Sequence, residues 1–380
     1  MIQVPSHIKN LQSYTAGQPV EELARERGLE RIVKLASNEN ALGASPLAIQ
    51  AAKAALRQSH RYVDPKAYEL TDALSRRLDI PASRIISGAG TDSLLAYIIT
   101  AFSEPGDDIL TSQGTFIGIY VNAAKQNRRV DAVPMKDYGY DLRAIAGRIA
   151  EHTRIVYLAN PNNPTGTIFR RREFEAFMDE VPSNVLVVLD EAYASFASLD
   201  PDYPDGLEYD RDNLIVTRTF SKDSGLAGLR VGYAVGPEAL IRELYKVKLP
   251  FEPGLPAVKA AVAAIEDQTF LELSVAQNQR SKIQLTEALD RLGLSYVPSH
   301  GNFVLALMAS EEESALFAEL CLNRGLILRH VKAFGIPEGI RISTGTDSEM
   351  EFALEQMESV LDELRPNQPH VETAFGETQG

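Results

Sequence analysis

Between about Ser45 and Gly236 the chain alternates stretches of helical apolar spacing with short runs rich in β-branched residues. PLAIQAAKAALRQS reads as a helix, with Ser45 as its N-cap and Pro46 at the first helical position, where a missing N–H costs nothing. Thr91–Phe102 carries a second helical pattern. Arg84–Ser87, Asp108–Ser112, Ile155–Ala159, Val185–Asp190, Leu214–Thr219 and Val231–Val235 read as strands. Val185–Leu189 is unbroken apolar, as expected of a strand covered on both faces. Strands alternating with helices predict a mainly parallel sheet sandwiched by helices, an α/β large domain.

After PFEPGLP (250–256) the texture changes. Helical stretches cover Ala257–Ile265 and Leu271–Leu292. Then follow an apolar run at Asn302–Met308, a helix near Glu312–Arg324, short strands near Leu326–Arg329 and Ile340–Ser343, and a final helix. This is a smaller α+β domain. The expected division is 1–44 as an N-terminal arm and part of the small domain, 45–255 as the large domain, 256–365 as the small domain and 366–380 as a loose polar tail.

Composition narrows the function classes. At 380 residues, with 44% apolar and 24% charged residues, the chain can fill two ordinary cores. A net charge of −14 argues against a general nucleic-acid or anionic-membrane surface. It leaves room for one basic pocket. The single cysteine, Cys321, rules out an internal disulfide and a cysteine-based metal cluster, and the six histidines show no metal-ligand spacing, so no metal is expected. No signal peptide and no run of about 20 apolar residues is visible, which predicts a cytoplasmic protein.

Four clusters carry candidate chemistry. Asp190 directly follows a buried strand, where a carboxylate is costly without a cationic partner. It fits a surface turn, a Walker-B acid or a partner for a ring nitrogen such as a pyridinium; the Walker-B reading needs a phosphate loop that the chain lacks. On the last reading Tyr193 comes near the same ring. T-F-S-K-D-S-G-L-A-G-L-R (219–230) combines hydroxyls, glycines and cations. It reads as a solvated loop or as a phosphate site, with Thr219, Ser221 and Arg230 suiting a dianion and Lys222 able to form a Schiff base with a bound aldehyde. G-A-G-T-D (88–92) is weak as a dinucleotide fingerprint, because Ser93 stands where a third glycine belongs, but a helix N-terminus there seats phosphate. N-P-N-N-P-T-G (160–166) reads as a plain loop, or as a ligand site with Asn163 at the carboxyl edge of the sheet.

N-P-N-N-P-T-G, then D-E-A-Y, then S-K-x-x-G-L-A-G-L-R, with Lys222 and Arg230 eight residues apart, resembles the fold-type I, class I/II aminotransferases with their aspartate-aminotransferase-like fold. The resemblance runs from about Tyr14 to about Leu364. LASNENALGASP, RYVDP, GNFVLA and GIRISTGT are most similar to the histidinol-phosphate branch.

The resemblance implies pyridoxal 5′-phosphate, with Lys222 as its Schiff-base lysine and proton shuttle. Asp190 would keep the ring nitrogen protonated, and Asn163 and Tyr193 would meet the ring's phenolic oxygen. Phe116 would stack on the ring. Ala89, Gly90, Thr91, Thr219, Ser221 and Arg230 would hold the phosphate. Tyr62 would reach the phosphate of a neighbouring subunit, which implies a homodimer with shared sites. Arg341, with Arg329 and Tyr14 nearby, would grip the substrate anion. The implied reaction is transamination of histidinol phosphate with 2-oxoglutarate or glutamate. An aromatic or broad-range amino-acid aminotransferase is the alternative, and a decarboxylase or a cofactor-binding regulator stands further off. Ala89, Ser93, Gln113-Gly114-Thr115-Phe116 and Pro250-Phe251-Glu252 depart from the branch's usual residues, and Glu252 introduces an acid that faces either the substrate or solvent.

Overall fold

A computed structural model describes residues 2–11 and 27–366. Seven strands form the larger sheet: β2 (Ile85–Gly88), β3 (Asp108–Ser112), β4 (Arg129–Val133), β5 (Thr153–Ala159), β6 (Leu186–Asp190), β7 (Leu214–Thr219) and β8 (Gly232–Val235), in the order β2-β8-β7-β6-β5-β3-β4. Here β1 is Val33–Lys34, which lies outside this sheet. All pairings are parallel except those of β8, which runs antiparallel to both neighbours. The carboxyl ends of β2, β7, β6, β5 and β3 therefore share one edge, where open α/β sheets bind ligands.

Alternation along the strands explains the unbroken apolar runs. On β5, Ile155 and Tyr157 pack with helices Thr91–Phe102 and Glu238–Val247 on one face. Val156 and Leu158 pack with helices Leu142–Arg148 and Arg171–Glu180 on the other. With both faces covered, no position on the strand is free to be polar at low cost.

The smaller sheet is antiparallel, in the order β12 (Arg329–His330), β13 (Gly339–Ser343), β10 (Phe303–Leu307), β9 (Ser295–Val297). Its core takes Leu285 and Leu289 from helix Gln268–Arg291, Phe317 and Cys321 from Glu311–Asn323, and Met350, Met357 and Val360 from Asp347–Leu364. Val33 and Leu35 join the same core, and β1 pairs in parallel with β11 (Leu326–Ile327).

Ser45 caps helix Pro46–Ala55 as its sequence predicts, accepting the Ala48 N–H at 3.2 Å. At three places the sequence pattern was incomplete or ambiguous. The run read as one strand at Leu326–Arg329 is two, because the chain passes from β11 to β12 around buried Leu328. β4 had no strand signal: it is an edge strand of alternating charge, paired with β3 alone. Helix Leu255–Glu266, grouped by sequence with the second domain, packs Ala257, Ala261 and Ala264 against Ala48, Leu70 and Ala73 beside the larger sheet, where small residues let the helices approach. No helix among the described residues is long and apolar enough to cross a membrane.

Candidate active site

Gly232 at the start of β8 pairs with Gly88 at the end of β2 and with Thr219 at the end of β7. That register draws three segments together. A Cβ at Gly232 would lie 2.9 Å from the Arg218 carbonyl oxygen and 3.2 Å from the Thr91 nitrogen, so only glycine lets the strands close here. Helix Thr91–Phe102 begins at Gly90, at φ +84, with no side-chain cap on its N–H groups. A Cβ at Gly90 would sit 2.6 Å from an Arg230 guanidinium nitrogen. Ala89 is half-buried beside it. The hydroxyls of Thr219 and Ser221 lie 3.0 Å apart, and the Ser221 N–H donates to Thr219 Oγ1 at 3.1 Å. Open helical N–H groups, two hydroxyls and a half-exposed guanidinium form an anion seat.

Asp190 ends β6, the strand beside β7, and is 4% exposed. The Tyr157 hydroxyl donates to one of its oxygens at 2.8 Å and the Ala192 N–H to the other at 3.2 Å. Burial pushes its carboxyl up to about 6, against the pull of those two bonds. Among the described residues Asp190 makes no ion pair with a cation. Its neighbour Glu191 differs: it is buried on Arg218 at 2.6 Å and accepts the Gly206 N–H, which makes it part of the scaffold.

Lys222 is half-buried, its Nζ donating to the Asn38 and Ser37 carbonyls at 3.2 and 3.5 Å and lying 5.5 Å from the Tyr193 ring centre. Tyr193 Oη accepts the Asn38 side-chain N–H at 2.9 Å, and its ring meets Phe303 edge-on. Arg341 on β13 is 5% exposed. It donates to Asn163 Oδ1 and to the Ala36 carbonyl at 2.7 Å, while its Nε–H has no partner among the described residues. Burial lowers its guanidinium to about 10, the neighbouring Arg329 adding to the effect and Tyr193 opposing it. Arg329 stands directly across the ladder from it. A desolvated guanidinium with a free N–H is a receptor for a carboxylate or phosphate.

The remaining expected residues fall as follows. Phe116 precedes helix Ile117–Lys125, its ring folded against Gly118 near Asp92. Tyr62 is 83% exposed and stacks on Phe251 at 4.4 Å, on the surface. Tyr14 lies outside the described residues. Glu252 takes the Tyr97 hydroxyl bond, and its main-chain carbonyl receives Lys248, so Tyr97 already occupies its carboxylate.

Sequence reading missed Asn38, Asn302, Ser343 and Tyr157. Tyr157 carried a weak signal, since a tyrosine in a fully buried strand must find a partner for its hydroxyl. Asn38 carried none beyond its place in LASNENALG.

The donor set fits pyridoxal 5′-phosphate: a dianion seat at the end of β2 and β7, an acid without a cation on β6, and a primary amine beside them. Among the described residues the Arg341 Nε–H has no partner, so it stays available to an anion.

Comparison with known proteins agrees with that fit. Histidinol-phosphate aminotransferase 2 of Carboxydothermus hydrogenoformans is 39% identical over 359 residues, covering 94% of this chain and 99% of that protein. Its namesake in Ralstonia nicotianae is 42% identical over 363 residues, covering 94% and 96%. The crystal structure of histidinol-phosphate aminotransferase from Sinorhizobium meliloti in complex with pyridoxal-5′-phosphate matches with a TM-score of 0.88 at 29% identity, over 96% of this chain and 99% of that one. The family model for aminotransferase class I and II matches residues 30–357. That span takes in every strand of both sheets, and the chain belongs to the class I and II aminotransferases.

Proposed function

We propose that this chain is a pyridoxal 5′-phosphate-dependent transaminase that moves the amino group of histidinol phosphate to 2-oxoglutarate, a step of histidine biosynthesis. The observation that carries the reading is Asp190: a buried acid, unpaired with any cation among the described residues, at the ligand edge of the sheet. Its relatives' names supply the substrate.

When bound, the cofactor supplies an aldehyde for the amino group and a cationic ring that accepts the electron pair left when Cα loses its proton. The chain's residues do the rest. Gly90, Thr91, Thr219, Ser221 and Arg230, with Ala89 beside them, would hold the phosphate and so orient the ring, and Phe116 would offer it an aromatic surface. This is uniform binding that orients without itself lowering the barrier. Asp190 would keep the ring nitrogen protonated, and a cationic ring there would offset the cost of burying the carboxylate. Tyr193 and Asn163 donate to the ring oxygen. Lys222 would hold the cofactor, and its amine would serve as the base that accepts the proton leaving Cα. Arg341, with Arg329 beside it, binds the substrate anion.

On this reading the working unit is a cytoplasmic homodimer. Tyr62, exposed on one chain, completes the phosphate seat of the other, and the small domain that carries the β10–β13 ladder brings Arg341 over the large one.

The test is visible absorption of the purified holoenzyme during additions of histidinol phosphate, phenylalanine and glutamate. Prompt bleaching by histidinol phosphate, slow by phenylalanine, supports the assignment. Bleaching by phenylalanine and not by histidinol phosphate moves the enzyme to aromatic substrates.

A further inference from the structure

Asn38 sits where the two sheets meet the lysine. It is 1% exposed and holds a left-handed backbone at φ 52, a conformation that Asn tolerates better than most residues. Every polar atom of the residue is used. Its main-chain N–H donates to Ser343 Oγ at 2.9 Å, and Ser343 Oγ returns its proton to Asn38 Oδ1 at 2.9 Å. That exchange fixes the amide, leaving Nδ2 to donate to Tyr193 Oη at 2.9 Å. The main-chain carbonyl receives Lys222 Nζ and Asn302 Nδ2, both at 3.2 Å.

A phenol has one proton. With the Asn38 N–H occupying a lone pair of Tyr193 Oη, the Tyr193 proton cannot be given to Asn38 and is turned toward another acceptor. Accepting a bond also polarises the O–H and strengthens it as a donor. Ser343 is two residues beyond Arg341 on β13, so the relay Ser343–Asn38–Tyr193 joins the strand of the substrate arginine to the tyrosine beside Lys222.

We propose that Asn38 is a positioning residue that acts through Tyr193, aiming its hydroxyl proton at the ring oxygen of the cofactor and so setting the proton affinity of the Lys222–cofactor linkage. This rests on the function proposed above. A donor at the ring oxygen stabilises negative charge there and makes the linkage nitrogen easier to deprotonate. Loss of the donor's aim therefore raises the pH at which the linkage titrates.

The experiment is a pH titration of the visible band of substrate-free holoenzyme, for wild type, Asn38→Gly, Tyr193→Phe and the double variant. Glycine accepts the left-handed backbone, so Asn38→Gly keeps the main-chain geometry and removes only the side chain. The expected result is a midpoint raised by roughly one pH unit, about one hydrogen bond to a charged group, with no further rise in the double variant over Tyr193→Phe. An unmoved midpoint in Asn38→Gly, or an equal extra shift on the Tyr193→Phe background, overturns the proposal. If Asn38→Gly does not fold, Ser343→Ala takes its place: a rise in midpoint supports the relay and no rise overturns it. A wild-type protein that shows no visible band, with the cofactor added, overturns the function itself and this inference with it.

Discussion

In cofactor-free protein, Asp190→Asn is expected to raise stability at neutral pH while it destroys activity in the loaded enzyme. Burial raises the Asp190 carboxyl from 3.8 to about 6, the Tyr157 and Ala192 bonds opposing the rise. An acid whose folded pKa lies above its unfolded value contributes its full stability below the unfolded value and loses it as pH rises through the folded one. The loss here spans about pH 4 to 6 and integrates over two pKa units to about 3 kcal/mol. Asparagine does not titrate, and it keeps a partner for Tyr157 because the phenol can turn and accept. The stability gap between the Asp190→Asn protein and wild type should therefore open from near zero at acid pH to about 3 kcal/mol at neutrality. Urea unfolding of both cofactor-stripped proteins across that range measures it directly. In holoenzyme the same change removes the group that holds the ring proton, and kcat should fall by roughly 10²–10⁴. A gap that does not vary with pH, or a variant no more stable than wild type at neutrality, would refute the idea that Asp190 is a buried charge awaiting a cation.

Arg341→Met should raise KM for the phosphorylated substrate about 10–150-fold, the range of one hydrogen bond to a charged group, and inorganic phosphate should raise the unfolding temperature of wild type more than that of the variant. Glu191→Ala leaves the half-buried Arg218 guanidinium with the partly exposed Asp205 as its one acid among the described residues, and should cost about 3–5 kcal/mol in urea unfolding. Tyr62→Ala and Lys222→Ala proteins should each be nearly inactive alone. Mixed and reassociated, they should recover roughly a quarter of wild-type activity, since half the dimers then hold one intact site. No recovery, with exchange verified by mass, would place Tyr62 outside a shared site.

The alternation of buried β-branched runs with helical stretches was enough to read the parallel sheet, because a strand covered on both faces has no polar face to hide. The residues at the carboxyl ends of those strands were legible for a related reason. Asp190, Lys222, Thr219, Ser221, Arg230 and Asn163 lie within short motifs whose unusual residue types stand out locally. Edge strand β4 gave no such signal, since half-exposed alternating residues look like a loop. The small apolar face of helix Leu255–Glu266 suits either core, and only its contact with helices Pro46–Ala55 and Tyr68–Leu78 shows which one it packs on. The meeting of Asn38 with Tyr193 and Ser343 joins positions 155 and 305 residues apart, and that of Arg341 with Asn163 joins positions 178 apart. No local pattern records such pairings. They exist because the β2, β7 and β8 register draws the anion-seat segments together and the β10–β13 ladder carries Arg341 and Ser343 to Asn163 and Asn38. Chain chemistry thus chose the groups, while their proton affinities and partners came from burial, which only the folded arrangement creates.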